Sequence, residues 1–255
     1  MVEHTLEGHH ALVTGGGTGI GLAIAAKLAG AGARVTITGR RSEVLDAALG
    51  TIPGGFATAM NVADEDSVEE GVKAAREMHG PVSICVINAG IAEGRNLHKS
   101  SLGHWRKTLS INLDGAFLTL RACLPDMMSA PQARAIGISS IAGTKGLKGA
   151  PAYTASKHGL IGLMRALAED HKGTNMTFNA LCPAYVDTPI VERNIDAITN
   201  RSALDEEAAK QLMVDVNPLG RLIHPDEVAD AALWLCRDEA VAINGQAIEI
   251  SGGVV

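Results

Sequence analysis

Short apolar and β-branched runs alternate with longer stretches of helical periodicity along most of the chain. The runs cover residues 11–14, 34–38, 56–59, 82–87, 135–139, 176–181 and 246–250. Helical patterns lie between them, over 21–31, 66–78, 153–171 and 225–236. Alternation of this kind implies a parallel sheet whose strands are joined by right-handed helical crossovers. The almost continuously apolar run at 82–87 suits a strand buried on both faces. The pattern predicts an α/β architecture, a doubly wound parallel sheet of about seven strands with helices on both faces. No repeat, low-complexity tract or linker divides the chain, so a single domain is expected over residues 1–255. One long irregular stretch, about 184–224, is rich in charge and proline and looks helical only around 204–213. It follows the carboxyl end of a strand, where ligands of open α/β sheets bind, and is expected to form a substrate loop or lid.

Composition narrows the function classes. With 46% hydrophobic and 20% charged residues, the chain is folded and globular, not disordered. A net charge of −6 gives no bulk attraction to nucleic acid or to an anionic membrane, so neither is expected as a partner. No apolar run approaches the roughly 18 residues of a membrane span. The acidic start at residues 1–7 lacks the basic and apolar regions of a signal peptide, so a soluble, cytoplasmic protein is expected. Cys85, Cys123, Cys182 and Cys236 are widely spaced and are expected to be reduced thiols. The nine histidines show no metal-ligand spacing, and no metal site is expected. Aromatic residues are scarce, with three Phe, two Trp and two Tyr. That argues against base stacking and makes each tyrosine worth inspecting.

The first strand runs into Thr14-Gly15-Gly16-Gly17-Thr18-Gly19-Ile20-Gly21 and then a helix. Glycines here permit positive φ and let the backbone approach a pyrophosphate, while the helix start supplies amides and partial positive charge. The strict G-x-G-x-x-G register is absent, but the strand–turn–helix context supports a Rossmann-type dinucleotide turn. No Gly-Lys-Ser/Thr ending follows, which disfavours a P-loop hydrolase. Gly15, Gly17, Thr18, Gly19, Ile20 and Gly21 are therefore candidate cofactor-binding residues. After the second strand, Ile37-Thr38-Gly39-Arg40-Arg41 has no acid for a ribose 2′-hydroxyl, and two guanidiniums follow. Arg40 and Arg41 suit a 2′-phosphate, so NADP(H) is preferred over NAD(H), which stays open.

Tyr153 and Lys157 lie four residues apart, on one face of a helix. A nearby ammonium favours a phenolate, so the expectation is a phenol more acidic than an ordinary tyrosine. Ser140 ends an apolar strand thirteen residues earlier. Asn112 interrupts a helical pattern with a weak helix former, which suggests a polar task.

Taken together, these segments resemble the short-chain dehydrogenase/reductase family over essentially the whole chain. The resemblance rests on Thr14-Gly15-x-x-x-Gly19-x-Gly21, Asn88-Ala89-Gly90, Asn112, Ser140, Tyr153-x-x-x-Lys157, Pro183 with Thr188, and Ser251-Gly252-Gly253. It implies that Tyr153 exchanges a proton with a carbonyl or alcohol oxygen as hydride moves to or from a nicotinamide. It further implies that Ser140 hydrogen-bonds that oxygen, Lys157 lowers the tyrosine pKa and binds the nicotinamide ribose, and Asn112 holds a proton-relaying water. Asn88, Ala89 and Gly90 would line the cofactor cleft, and Asn61 and Val62 would flank the adenine. Pro183, Val186 and Thr188 belong to the expected cofactor set, with Val186 and Thr188 meeting the carboxamide and phosphate.

Three positions depart from the usual family pattern: Asn61 replaces an Asp, Ala184 a Gly, and Ser251 an Asp. Bacterial members of this loop length resemble 3-oxoacyl thioester reductases and hydroxybutyrate dehydrogenases. The latter carry a His and a Lys where this chain has Ala142 and Ala150, so a small anion would lack its cations. With Leu147 nearby, the expected substrate is a neutral ketone or alcohol, or an acyl thioester; Arg95, Lys145 and Arg193 are unassigned. An NAD-linked hydroxy-acid or sugar-alcohol dehydrogenase is the alternative, and a sensor without turnover or a lyase or epimerase on the same scaffold are further readings. The resemblance also implies a homotetramer. Ala155, Gly159, Gly162 and Ala166 would allow close helix approach, although packing within one chain explains them equally well.

Overall fold

The computed structural model describes residues 6–200 and 204–254. Residues 1–5, most of the acidic N-terminal stretch, lie outside the described residues, as do residues 201–203 of the expected lid and Val255. Seven parallel strands form one sheet: β1 (His10–Thr14), β2 (Arg34–Gly39), β3 (Phe56–Ala59), β4 (Ile84–Ile87), β5 (Ala133–Ile138), β6 (Met176–Pro183) and β7 (Ala247–Ile250). Their order is β3-β2-β1-β4-β5-β6-β7, with every adjacent pair parallel. The order reverses between β1 and β4, so the adjoining carboxyl ends diverge into a crevice.

Successive strand residues point to opposite faces, and the two cores follow that rule. Val13 packs on one side with Ile24 and Leu28 of α1 (Gly19–Gly30), Leu45 of α2 (Ser42–Leu49), and Val228 and Leu235 of α9 (Pro225–Cys236). Leu12 packs on the other with Val72 of α3 (Glu65–His79), Cys123 of α5 (Gly115–Ser129) and Leu160 of α6 (Pro151–Asp170). Helix boundaries follow from local chemistry. Asp64 caps α3 by accepting from Ser67 N at 2.9 Å, and Gly80 leaves it with φ 83°. Pro225 opens α9 inside a capping box formed by His224 and Glu227.

Between α4 (Leu102–Leu109) and α5, residues Ser110–Asp114 make one π-helical turn, and Asn112 is its central residue. After β6 the chain forms α7 (Pro189–Thr199) and α8 (Glu206–Val214). Their apolar faces meet in a small core of their own, Val191, Ile195, Ala209 and Met213, with Tyr185 packed against it. The sequence pattern anticipated α8 but not α7. All four cysteines are free and buried. Among the described residues no cluster of metal-ligating side chains occurs, and no helix is long and apolar enough to cross a membrane.

Candidate active site

The turn after β1 is built around close backbone approach. Gly15 and Gly19 take φ of 64° and 54°, which a side chain would strain. A Cβ on Gly21 would stand 2.4 Å from both Asn88 Nδ2 and Gly15 O. Asn88 buttresses the turn from behind, donating to Thr14 O at 2.9 Å and Gly15 O at 3.1 Å. Thr14 Oγ1 in turn accepts the amides of Asn88 and Ala89, both at 3.0 Å. Thr18 precedes α1 in extended conformation without a side-chain cap, so the first amides of α1 stay available to an anion.

Gly15, Gly17 and Thr18 line a cleft walled by Arg40 and Arg41, by Asn61 and Val62, and by Ala89 and Gly90. Thr38, on the same wall, buries a hydroxyl that has no hydrogen-bond partner. An unsatisfied hydroxyl at a cleft wall is what a polar ligand would complete. With the glycine turn and the uncapped helix, it fits a dinucleotide. Neither Arg40 nor Arg41 forms an ion pair among the described residues. Asn61 Oδ1 accepts from Ala63 N at 3.3 Å, which shapes the turn after β3.

Other expected cofactor residues sit behind the cleft. Ile20 packs against the core under α1. Pro183 ends β6 opposite Ile250, while Val186 is buried and bridges to Ile223. Thr188 does reach the glycine turn, since a Cβ on Gly19 would lie 3.1 Å from its Cγ2. Its hydroxyl donates to Val186 O at 3.2 Å.

The proposed acid–base residues come from three segments. Ser140 follows β5, and its Oγ accepts from Ala142 N at 3.1 Å to start the tight turn Ile141–Gly143. Gly143 lets that turn lie against α6, where a Cβ would stand 2.9 Å from Lys157 O. Tyr153 and Lys157 share one face of the first turns of α6. Lys157 is 5% exposed, and its Nζ donates to Ile138 O at 2.7 Å. The same Nζ lies 5.7 Å from the Tyr153 ring centroid. A Cβ on Gly90 would stand 3.6 Å from Lys157 Nζ, so the buried amine lies behind Gly90, which lines the cleft.

Burial pushes the Tyr153 phenol up to about 12, a hydrogen bond with Ser140 works against that rise, and Tyr185 and Cys182 add to it. Burial also pushes Lys157 down to about 8. The unusually acidic phenol expected from the spacing is therefore corrected. Desolvation acts on both groups, and the ammonium is bonded to a carbonyl instead of to the phenol.

Asn112 is 1% exposed and its amide is fully engaged. Oδ1 accepts from Ile91 N at 2.8 Å, while Nδ2 donates to Ile91 O at 2.9 Å and to Ser156 Oγ at 3.0 Å. Ala142 and Ala150 are buried, so the positions expected to lack cations are small and apolar in space as well. Ser251 is buried and its Oγ accepts from Val254 N.

Sequence reasoning missed Thr38 and Tyr185. Tyr185 leaves the end of β6 with its backbone clamped by the buried Asn217, which accepts from Tyr185 N at 3.3 Å and donates to Tyr185 O at 2.9 Å. The scarcity of tyrosine was the available signal. Tyr153 and Tyr185 are the only two in the chain, and Tyr185 adds to the rise of the Tyr153 phenol.

Known proteins resemble this chain over nearly its whole length. Residues 15–255 match the family model described as enoyl-(acyl carrier protein) reductase. A putative ketoacyl reductase of the granaticin polyketide synthase from Streptomyces violaceoruber is 36% identical, over 96% of this chain and 92% of the relative. The 3-oxoacyl-[acyl-carrier-protein] reductase FabG of Aquifex aeolicus is 34% identical, over 99% and 100% of the two chains. The D-beta-hydroxybutyrate dehydrogenase of Cupriavidus necator is 32% identical, over 98% and 99%. A crystal structure of a variant actinorhodin polyketide ketoreductase with NADPH superposes with a TM-score of 0.93 at 31% identity, covering 100% of this chain and 99% of that one. With these matches spanning nearly its whole length, the chain belongs to the short-chain dehydrogenase/reductase family.

Proposed function

We propose that the protein interconverts a carbonyl and a secondary alcohol with NADP(H), acting on a neutral ketone or a 3-oxoacyl thioester. The observation that carries this reading is the Lys157 amine beside Gly90 of the glycine-lined cleft, with Tyr153 on the same helix face. When bound, the dinucleotide supplies the hydride in reduction and accepts it in oxidation. Tyr153, pushed up to about 12, stays protonated at neutral pH and donates to the carbonyl oxygen in reduction. The Ser140 oxygen accepts from Ala142 N, and its hydroxyl, which faces Tyr153, turns its proton to the same substrate oxygen when substrate binds. Lys157 keeps one N–H on Ile138 O, which leaves two more for a bound dinucleotide next to Gly90. The Asn112 amide is committed to Ile91 and Ser156, so its side chain fixes the cleft wall instead of holding the expected water.

Arg40 and Arg41 stand on the cleft wall without ion-pair partners among the described residues, which supports NADP(H). The related ketoreductase structure holds NADPH. The hydroxybutyrate dehydrogenase relative supports the alternative of an NAD-linked hydroxy-acid enzyme, but Ala142 and Ala150 offer no grip for a carboxylate. The segment from Ala184 to His224 serves as the substrate lid of a single domain, and the protein works in the cytoplasm as a homotetramer. Ketones, 3-oxoacyl thioesters and small hydroxy acids assayed with both dinucleotides test the reading. Turnover of a ketone or thioester with NADPH is expected, whereas turnover confined to hydroxy acids with NAD would overturn it.

A further inference from the structure

The helix that carries Tyr153 starts without a side-chain cap: Ala150 precedes it, and Pro151 occupies its first position. Its first turn therefore needs other anchors. Thr154 Oγ1 receives Leu147 N only at 3.4 Å. Ser156 is 0% exposed and makes two shorter bonds, donating to Tyr153 O at 2.7 Å and accepting from Asn112 Nδ2 at 3.0 Å. An amide nitrogen can only donate, so the Ser156 proton has one place to go, the Tyr153 carbonyl. Asn112 is in turn fixed by both backbone groups of Ile91, which lines the cleft beside Gly90. The chain Ile91–Asn112–Ser156–Tyr153 thus links the cleft wall to the turn bearing the phenol, with donation running from Asn112 through Ser156 to Tyr153.

We propose that Ser156 is a positioning residue, transmitting the placement of the cleft-lining Ile91 segment through Asn112 to Tyr153. This rests on the reading of Tyr153 as proton donor. Replacing Ser156 by Ala leaves a buried Asn112 N–H unpaired and removes the side-chain bond to the Tyr153 carbonyl, which loosens the first turn of α6 without touching substrate.

Hydrogen exchange of the protein without dinucleotide tests the placement independently of activity. In Ser156→Ala, amides at 153–157 are expected to exchange about 10-fold faster, with the sheet still protected. Turnover of the best ketone or thioester with NADPH is expected to fall about 10-fold in kcat, with both KM values within about twofold. Ser156→Cys, which keeps a weak donor and acceptor of similar size, is expected to recover part of both effects. Unchanged exchange and kcat in Ser156→Ala, beside an inactive Tyr153→Phe, would overturn the positioning role alone. A uniform loss of protection with kcat falling only in proportion to folded protein, unrescued by Cys, would overturn it too. Full turnover by Tyr153→Phe would instead remove the reading on which the role rests.

Discussion

Lys157 and Tyr153 share a face of α6, yet the ammonium is bonded to Ile138 O at 2.7 Å and stands 5.7 Å from the centre of the phenol ring. Burial pushes Lys157 down to about 8. Its charged form is therefore disfavoured in the fold, and that cost is complete below the folded pKa. It is relieved as pH rises from about 8 toward the ordinary lysine value of about 10.4. Lys157→Met is expected to abolish most turnover while raising stability at pH 7 by on the order of 1–3 kcal/mol. The gain should shrink as pH rises through that window. Urea unfolding of both proteins at pH 7 and pH 10 measures it, and a destabilised Lys157→Met at pH 7 would contradict the assignment.

The same pair sets the pH dependence of reduction. Tyr153 remains a proton donor up to about 12, so the first proton lost on the alkaline side belongs to Lys157. The ratio kcat/KM for NADPH reports the enzyme before it binds the dinucleotide. It is expected to be level below pH 7 and to decline with a midpoint near 8. A decline that begins only above pH 10 would show that the ammonium is not needed.

Cofactor choice turns on Arg40 and Arg41. A charge-assisted hydrogen bond contributes about 1.5–3 kcal/mol, or roughly 10- to 150-fold in affinity. Arg40→Asp with Arg41→Ala should raise the NADPH Kd by about 100-fold and weaken NADH binding far less. Fluorescence titration of the two dinucleotides reads both constants. Equal losses for NADPH and NADH would mean that neither guanidinium reads the 2′-phosphate.

The sequence showed the strands clearly, because a parallel sheet covered on both faces leaves little room for polar interruption. The predicted run 34–38 and the observed Arg34–Gly39 differ by one residue. Helix α7 was hidden because Glu192, Arg193 and Asp196 interrupt the apolar positions 191, 195 and 198, whose partners lie on α8. In the candidate site, the pairing of Tyr153 with Lys157 on one helix face and the strand–turn–helix setting of the glycines were legible from local spacing. Thr38 and Ser156 were not, since an unpaired hydroxyl or a bridge to Asn112 exists only once distant segments meet. The acidic phenol was misjudged for the same reason: spacing placed the amine near the ring but could not show Ile138 O accepting its proton.

Far from the cleft, at the amino end of β1, His10 is 0% exposed between Gly80 O at 2.7 Å and Thr36 Oγ1 at 2.9 Å. Burial pushes it down to about 4, and nearby His79 and Arg34 act in the same direction against the bond to Gly80. A histidine lowered in the fold contributes stability above its unfolded value of about 6.5. That contribution is lost as pH falls from about 6.5 to about 4. The loss attributable to His10 is about 3 kcal/mol. Denaturant midpoints of wild type and His10→Gln between pH 7 and pH 4.5 should converge as pH falls. Parallel curves would show that His10 does not titrate in this window.

Two glycines on α6 separate packing within the chain from packing between chains. A Cβ on Gly159 would stand 2.8 Å from Leu113 Cδ2, so its own chain already accounts for that glycine. Gly162 is exposed, and an added Cβ would meet nothing within 4 Å. In a monomer, Gly162→Ala would therefore stabilise the helix by about 0.5–1 kcal/mol. If α6 packs against a second copy, the same exposed face requires the small residue. Gly162→Leu is then expected to shift the mass in solution from a multiple of 26.4 kDa toward that of one chain. Sedimentation velocity of wild type, Gly162→Ala and Gly162→Leu decides it. An oligomer that survives Gly162→Leu with raised thermal stability would show that the assembly uses another face.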